Sequence, residues 1–386
     1  MYQFFNVMKI ISSLKIFAIC LLLSACQTSE PQVEQNEDAD SEFQRQVEQG
    51  LVLSNSTLEQ SNSKGEILWR LKTTEAVYSP DKKTAKLKTL TANLFSDDVL
   101  ILQISADEGE LRKDGQEIYL NKNIIAVDPR NKAELRGDEV IWLPEQNIMT
   151  ITGEKGIKAN HEKLSVVAKQ AKYNTESQFL ELEKDIIGTT NKPALQLKTQ
   201  RLFWQIEQGK VIGNEKLNLV RLEDKVVSDR LNTNKVQIDL NKNIAIVTGN
   251  VEYQSFEPLL QAATNKVTWY YADRRMESKD PIRLVQPEDK TTVTANEGKF
   301  DLISKQVDLK GGIYGESAEN EAKIYADTLN WNLNNQQMEA LGNVVYQQVE
   351  PDLNVQGKKA TGNLNSKDIV VEGNTGDPVT TVIYTD

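Results

Sequence analysis

The stretch Ile324-Tyr325-Ala326-Asp327-Thr328-Leu329-Asn330-Trp331-Asn332-Leu333 contains two alternating apolar runs in opposite phase. Ile324 and Ala326 alternate with polar neighbours, and Leu329, Trp331 and Leu333 then alternate from an odd offset. A period of two marks a half-buried strand. A change of phase inside such a run requires an extra residue, and a bulge or corner supplies it while the apolar face stays inward. The same flip occurs at Leu195, Leu197 and Thr199 followed by Leu202, Trp204 and Ile206. The small residue at each flip suits a tight bend.

From that bend a repeat extends in both directions. Ala106, Gly137, Ala168, Thr199, Thr233, Thr264, Ala295, Ala326 and Gly357 stand 31 residues apart, except for one spacing of 34 between Thr199 and Thr233. Three residues on comes the column Gly109, Val140, Ala171, Leu202, Val236, Val267, Gly298, Leu329 and Ala360. Two further comes Leu111, Trp142, Tyr173, Trp204, Ile238, Trp269, Phe300, Trp331 and Gly362, which holds four of the five tryptophans. Sixteen residues after the small position stand turn pairs such as Gly249-Asn250, Gly311-Gly312, Gly342-Asn343 and Gly373-Asn374, which tolerate left-handed backbone. With an upstream copy through Thr73, Val77 and Tyr78 there are about ten units. Helical repeats have similar periods, but the period of two excludes them here.

A unit of two to three short strands cannot bury its own apolar side, so stacked neighbours form the core. The expected fold is all-β, an elongated repeat-built jellyroll or open solenoid of about ten 31-residue units. At about 4.7 Å per paired strand it would span on the order of 50 to 100 Å. The extra three residues before Thr233 mark a candidate joint near residues 221–232.

Composition narrows the function classes. Of 386 residues, 56 are acidic and 45 are Lys or Arg, a net charge of −11 that disfavours nucleic acid as a partner. Both cysteines, Cys20 and Cys26, lie in the first 26 residues, so the body has neither disulfide nor thiolate chemistry. One histidine, His161, does not make a two-His metal site or a proton relay, and its Ala-Asn-His-Glu context reads as an exposed turn. Recurring acids such as Asp107, Asp138 and Asp327 sit at the repeat's polar positions, and no pair stands out for glycosidic chemistry. The expectation is a non-enzyme with no catalytic residue, no metal and no cofactor.

Lys9 and Lys15 precede a short apolar run, Ile16 to Leu23, followed by small residues, as in a secretory leader. Leu23-Ser24-Ala25-Cys26 resembles a bacterial lipobox, with Cys26 as the lipidated first residue of the mature chain. An uncleaved signal anchor is the alternative. The domain reading is a lipoprotein signal peptide over 1–25, a flexible acidic tether over 26–51, and the β-repeat body over 52–386.

Ala326-Asp327-Thr328-Leu329-Asn330-Trp331 followed by Gly342-Asn343-Val344 resembles the OstA-type repeat of lipopolysaccharide-transport proteins. Gly65-Glu66-Ile67-Leu68-Trp69-Arg70-Leu71 through Ala76-Val77-Tyr78 resembles the opening of the LptC family. The pattern departs from that family in having a lipobox in place of a spanning helix, and a longer array. The resemblance implies a periplasmic lipid-conduit protein, anchored through its N-terminal lipid with the inner membrane favoured. It would pass lipopolysaccharide from an inner-membrane ABC transporter toward the outer membrane through an apolar trough. The transporter's β-domains would meet the N-terminal edge, and an LptA-like bridge or LptD-like receptor the C-terminal edge. Expected trough-lining residues are Val140, Trp142, Tyr173, Leu202, Trp204, Val267, Trp269, Phe300, Leu329 and Trp331. The alternative is a structural or adhesive periplasmic lipoprotein in which the same columns fill a closed core.

Overall fold

The computed structural model describes residues 51–319, 321–350, 352–373 and 379–382. Cys26, the leader and the tether as far as residue 50 lie outside the described residues. The described body is all-β: 26 strands among the described residues join one continuous sheet, and every pairing is antiparallel. The repeat-built jellyroll expected from the sequence is the fold found.

Each 31-residue unit supplies two strands, which run longer than the short segments expected because they bend without ending. Val99–Arg112 pairs with Glu117–Asp128 from Gln103↔Val127 to Ser105↔Ile125, loses register, and resumes at Glu108↔Asn121. The same slip recurs between Lys310 and Ile313 and between Leu341 and Val344. Each slip divides a strand between two faces of the fold. The residues before the small position, such as Leu102, Ile104 and Leu135, form a first arm. Those after it, such as Leu111, Val140 and Trp142, form a second arm, and both point their apolar side into one continuous core.

At five bends among the described residues two consecutive residues take positive φ, and Asn374 of the Gly373-Asn374 pair lies outside the described residues. Gly249-Asn250 has φ of 82° and 51°, Gly311-Gly312 77° and 66°, and Gly342-Asn343 79° and 47°. Lys122-Asn123 and Lys184-Asp185 adopt the same conformation without glycine, at 66° and 49° and at 65° and 51°. The adjoining strand meets each pair with the residue after the small position. Asn123 Nδ2 donates to Asp107 Oδ2 at 2.6 Å, and Asn343 Nδ2 donates to Asp327 Oδ2 at 2.9 Å. Where the small residue is threonine, its hydroxyl takes a carbonyl that the broken ladder leaves free. Thr73 Oγ1 donates to Lys88 O at 2.7 Å and Thr233 Oγ1 to Thr248 O at 2.8 Å.

Near the middle of the chain the bend does interrupt strands, as between Lys210–Gly213 and Leu217–Glu223 and between Arg275–Ser278 and Ile282–Gln286. The three extra residues before Thr233 lengthen the first-arm hairpin of Leu217–Glu223 with Val226–Thr233. That hairpin is hydrogen-bonded to strands on both flanks.

A Cβ at position 342 would collide with the Asp327 carboxylate, and φ is already positive there. Gly342→Val is expected to destabilise the protein by about 1 to 3 kcal/mol through corner strain, measured by urea unfolding. An unchanged midpoint would refute this account of the corner.

Candidate functional site

The two arms meet at the corner and face one another across an interior whose far side is a mouth lined by hairpin turns. All ten residues expected to line a trough point into this interior and are buried, from Trp331 at 0% exposed to Phe300 at 8%. They divide by what they touch. Leu202 and Trp269 lie in the wall of a cavity of about 390 Å³ between the arms. Val267 and Phe300 border a void of about 40 Å³, and Leu329 borders one of about 110 Å³. Val140, Trp142, Tyr173, Trp204 and Trp331 border none of these three voids and pack against the core. A larger recess, about 850 Å³, is at the corner instead, lined by polar side chains including Asp185, Gln200, Asn218 and Asn232.

Polar bridges close the mouth in places, and sequence reasoning did not find them. Tyr173 OH donates to Asp128 Oδ2 at 2.7 Å, joining the second arm to the first. Arg130 binds the same carboxylate at 2.6 Å and donates to the Thr175 carbonyl at 2.8 Å, while Asn131 donates to Gln178 at 2.6 Å. The hydrogen bond from Arg130 to Asp128 raises the Arg130 pKa, and burial, followed by the Asp128 charge, raises that of Tyr173.

The second bridge is built on the lengthened hairpin. Arg221 Nε donates to Asp229 Oδ2 at 2.7 Å, and both side chains are 6% exposed. Tyr253 OH also donates to Asp229. Glu223, beside the hairpin tip, accepts from Arg221 at 2.5 Å and from the second-arm Arg274 at 2.7 Å. Burial works against the Arg221 charge, yet Asp229 and Glu223 overcome it and the pKa rises. Lys305, at the next second-arm turn, is pushed down by burial. Further along, Lys367 Nζ on the second arm reaches Glu319 on the first at 2.7 Å.

His161 lies in the turn expected, but its ring is half-buried, edge-on to Trp204 with centroids 5.7 Å apart. Burial lowers its pKa below the ordinary 6.5. The neighbouring Lys163 Nζ donates across the mouth to Asn241 Oδ1 at 2.9 Å. Among the described residues no three His, Cys, Asp or Glu side chains gather as a metal site. No helix among them is long and apolar enough to cross a membrane.

The bent-strand units begin directly after the tether and repeat through the body. Residues 17–155 match the lipopolysaccharide-assembly, LptC-related family. That segment holds the Gly65–Tyr78 stretch whose sequence resembles the LptC family, and the similarity to a lipopolysaccharide-assembly family is shown over it. The LptC-related segment ends inside the strand Ile148–Asn160, while the same two-armed pairing continues through the strand Asp368–Glu372. No curated protein matches the chain.

Removing one member of the second bridge leaves a buried charge without its partner. Asp229→Ala is expected to cost about 3 to 5 kcal/mol, whereas Arg221→Met with Asp229→Leu costs far less or stabilises; urea unfolding of both variants checks this, and equal losses would refute it. His161 is the sole histidine, so its titration by NMR is unambiguous. Its midpoint is expected below 6.5. With the folded pKa depressed, its contribution to stability is present above about 6.5 and is lost as pH falls through the folded value. A midpoint at or above 6.5 would contradict the burial against Trp204.

Proposed function

We propose that this protein is a lipid-conduit component of the lipopolysaccharide export machinery, with the interior between the arms as the acyl-chain path. The observation that carries the reading is the LptC-related match running into an apolar interior shared by every unit. Burying each methylene is worth about 0.8 kcal/mol, so a multi-chain lipid leaving a membrane needs continuous apolar cover. Movement along the core is then sliding, driven at the membrane end and without covalent chemistry.

In this reading residues 1–25 are a lipoprotein signal peptide, Cys26 carries the lipid, and residues 26–51 tether the body in the periplasm, with the inner membrane favoured. The strand Val52–Ser61 pairs on one side, with Ile67–Tyr78. Its other edge offers backbone donors and acceptors to the β-domains of an inner-membrane ABC transporter. At the opposite end Asp368–Glu372 and Thr380–Val382 both pair with Leu353–Asn363. Their outer edges would receive an LptA-like bridge or an LptD-like receptor. Passage of a multi-chain lipid past the Tyr173–Asp128 and Arg274–Glu223 bridges requires the arms to part there.

The second reading, a structural or adhesive lipoprotein, is favoured by the close packing of Trp142, Trp204 and Trp331. A photo-crosslinking scan in cells exporting lipopolysaccharide separates the two. Probes at the inward positions Leu202, Trp204, Val267 and Trp269 are expected to give lipid adducts, and probes at Phe203, Gln205, Thr268 and Tyr270 none. A folded, exported protein with no adduct in either phase would establish the structural reading.

A further inference from the structure

We propose that the 390 Å³ cavity is a discrete binding site for one single-chain anionic amphiphile of the fatty-acid class. This rests on the reading of the inter-arm interior as lipid-accessible, but it assigns a resident ligand, distinct in chemistry from the multi-chain lipid in transit.

Four features define the site. Its walls are apolar: Leu195, Leu197 and Leu219 from the first arm face Leu202, Ile238 and Trp269 from the second. Walls of this kind favour an apolar guest over water. Its volume is small. At a water's share of about 30 Å³ per heavy atom, 390 Å³ holds on the order of a dozen atoms. That suits one medium-length acyl chain and excludes a bundle of several. Its mouth is crossed by the contact of Lys163 with Asn241, both of which line it.

The fourth feature is the rim, where Lys163 and Lys192 stand with one acid, Glu162, and the amides of Asn191 and Asn243. The local balance is positive in a chain of net charge −11. A carboxylate head at the rim would take ammonium and amide donors while its chain fills the interior. Trp269, 2% exposed in the wall, has an indole N–H with no partner among the described residues. It therefore sits within reach of any occupant as a fluorescent reporter.

The test is calorimetric titration of the delipidated full-length protein with dodecanoate and with dodecyltrimethylammonium, both below micelle-forming concentrations, with tryptophan fluorescence in parallel. One dodecanoate per chain is expected, with the cationic amphiphile at least tenfold weaker. Lys163→Glu with Lys192→Glu changes only exposed side chains and is expected to weaken dodecanoate at least tenfold. Leu219→Trp, which fills the cavity, is expected to abolish binding; should that variant misfold, the charge-reversed variant decides. Absence of saturable dodecanoate binding, or binding indifferent to head-group charge and to the lysine reversals, overturns the site. Lipopolysaccharide crosslinks at Leu329 and Trp331, which lie outside this cavity, report the conduit separately. Crosslinks there without dodecanoate binding would overturn the site and leave the conduit standing. Dodecanoate binding without crosslinks would support the site and remove the conduit.

Discussion

The corner is the constraint on which the architecture depends. A strand that stayed straight would give a flat sheet with one wet and one dry face, and no interior. At five of the corners two consecutive residues in left-handed backbone bend the strand, and the ladder slips there. Broken ladders leave free carbonyls and amides, which cost about 1 to 3 kcal/mol each if buried without partners. The hydroxyls of Thr73 and Thr233 take two such carbonyls, and Asp107 and Asp327 hold the side-chain amides of the turn residues Asn123 and Asn343. The small column follows from the same bend, since the chain passes too close for a large side chain. The two arms, the enclosed core and the mouth opposite all follow from a bend stabilised one strand at a time.

Most of this was legible before any coordinates. The phase flip between Ala326 and Leu329 located the corner, and the period of two assigned the inward columns. What stayed hidden has a common cause. Lys122-Asn123 and Lys184-Asp185 carry no glycine, so their left-handed geometry shows only through their place sixteen residues after a small position. The bridges are formed by partners 45, 47 and 51 residues apart in the chain, with no local pattern to mark them. Tyr173 was visible as an aromatic in a column, but its hydroxyl contact with Asp128 was not. Division of the ten inward residues into packed and cavity-lining groups depends on volumes contributed by both arms together, which no single column contains. His161 shows the same limit: its turn was readable, its contact with Trp204 was not.

The mouth combines opposing chemistries. Apolar walls favour closure of the arms, and the contact of Glu223 with Arg274 joins them, while Arg221 and Asp229 pair across one hairpin of the first arm beside it. A buried ion pair adds little net stability compared with apolar replacement, so its effect here is on geometry. The three residues that interrupt the period extend one hairpin far enough to place Glu223 against Arg274 of the opposite arm. The irregular unit is therefore one of the places where the arms are joined, and Leu217–Glu223 supplies Leu219 to the cavity wall.

The pairing of strands also sets a rule for how such a chain changes in size. Two strands return the backbone to the same corner, pointing the same way, so a whole 31-residue copy inserted between corners leaves every inward side chain inward. A single added strand would reverse direction and turn the next unit's apolar columns toward water. Length in this architecture is consequently granular, gained or lost in steps of about 9 to 10 Å. A gap of any given width would be met by counting units rather than by stretching them.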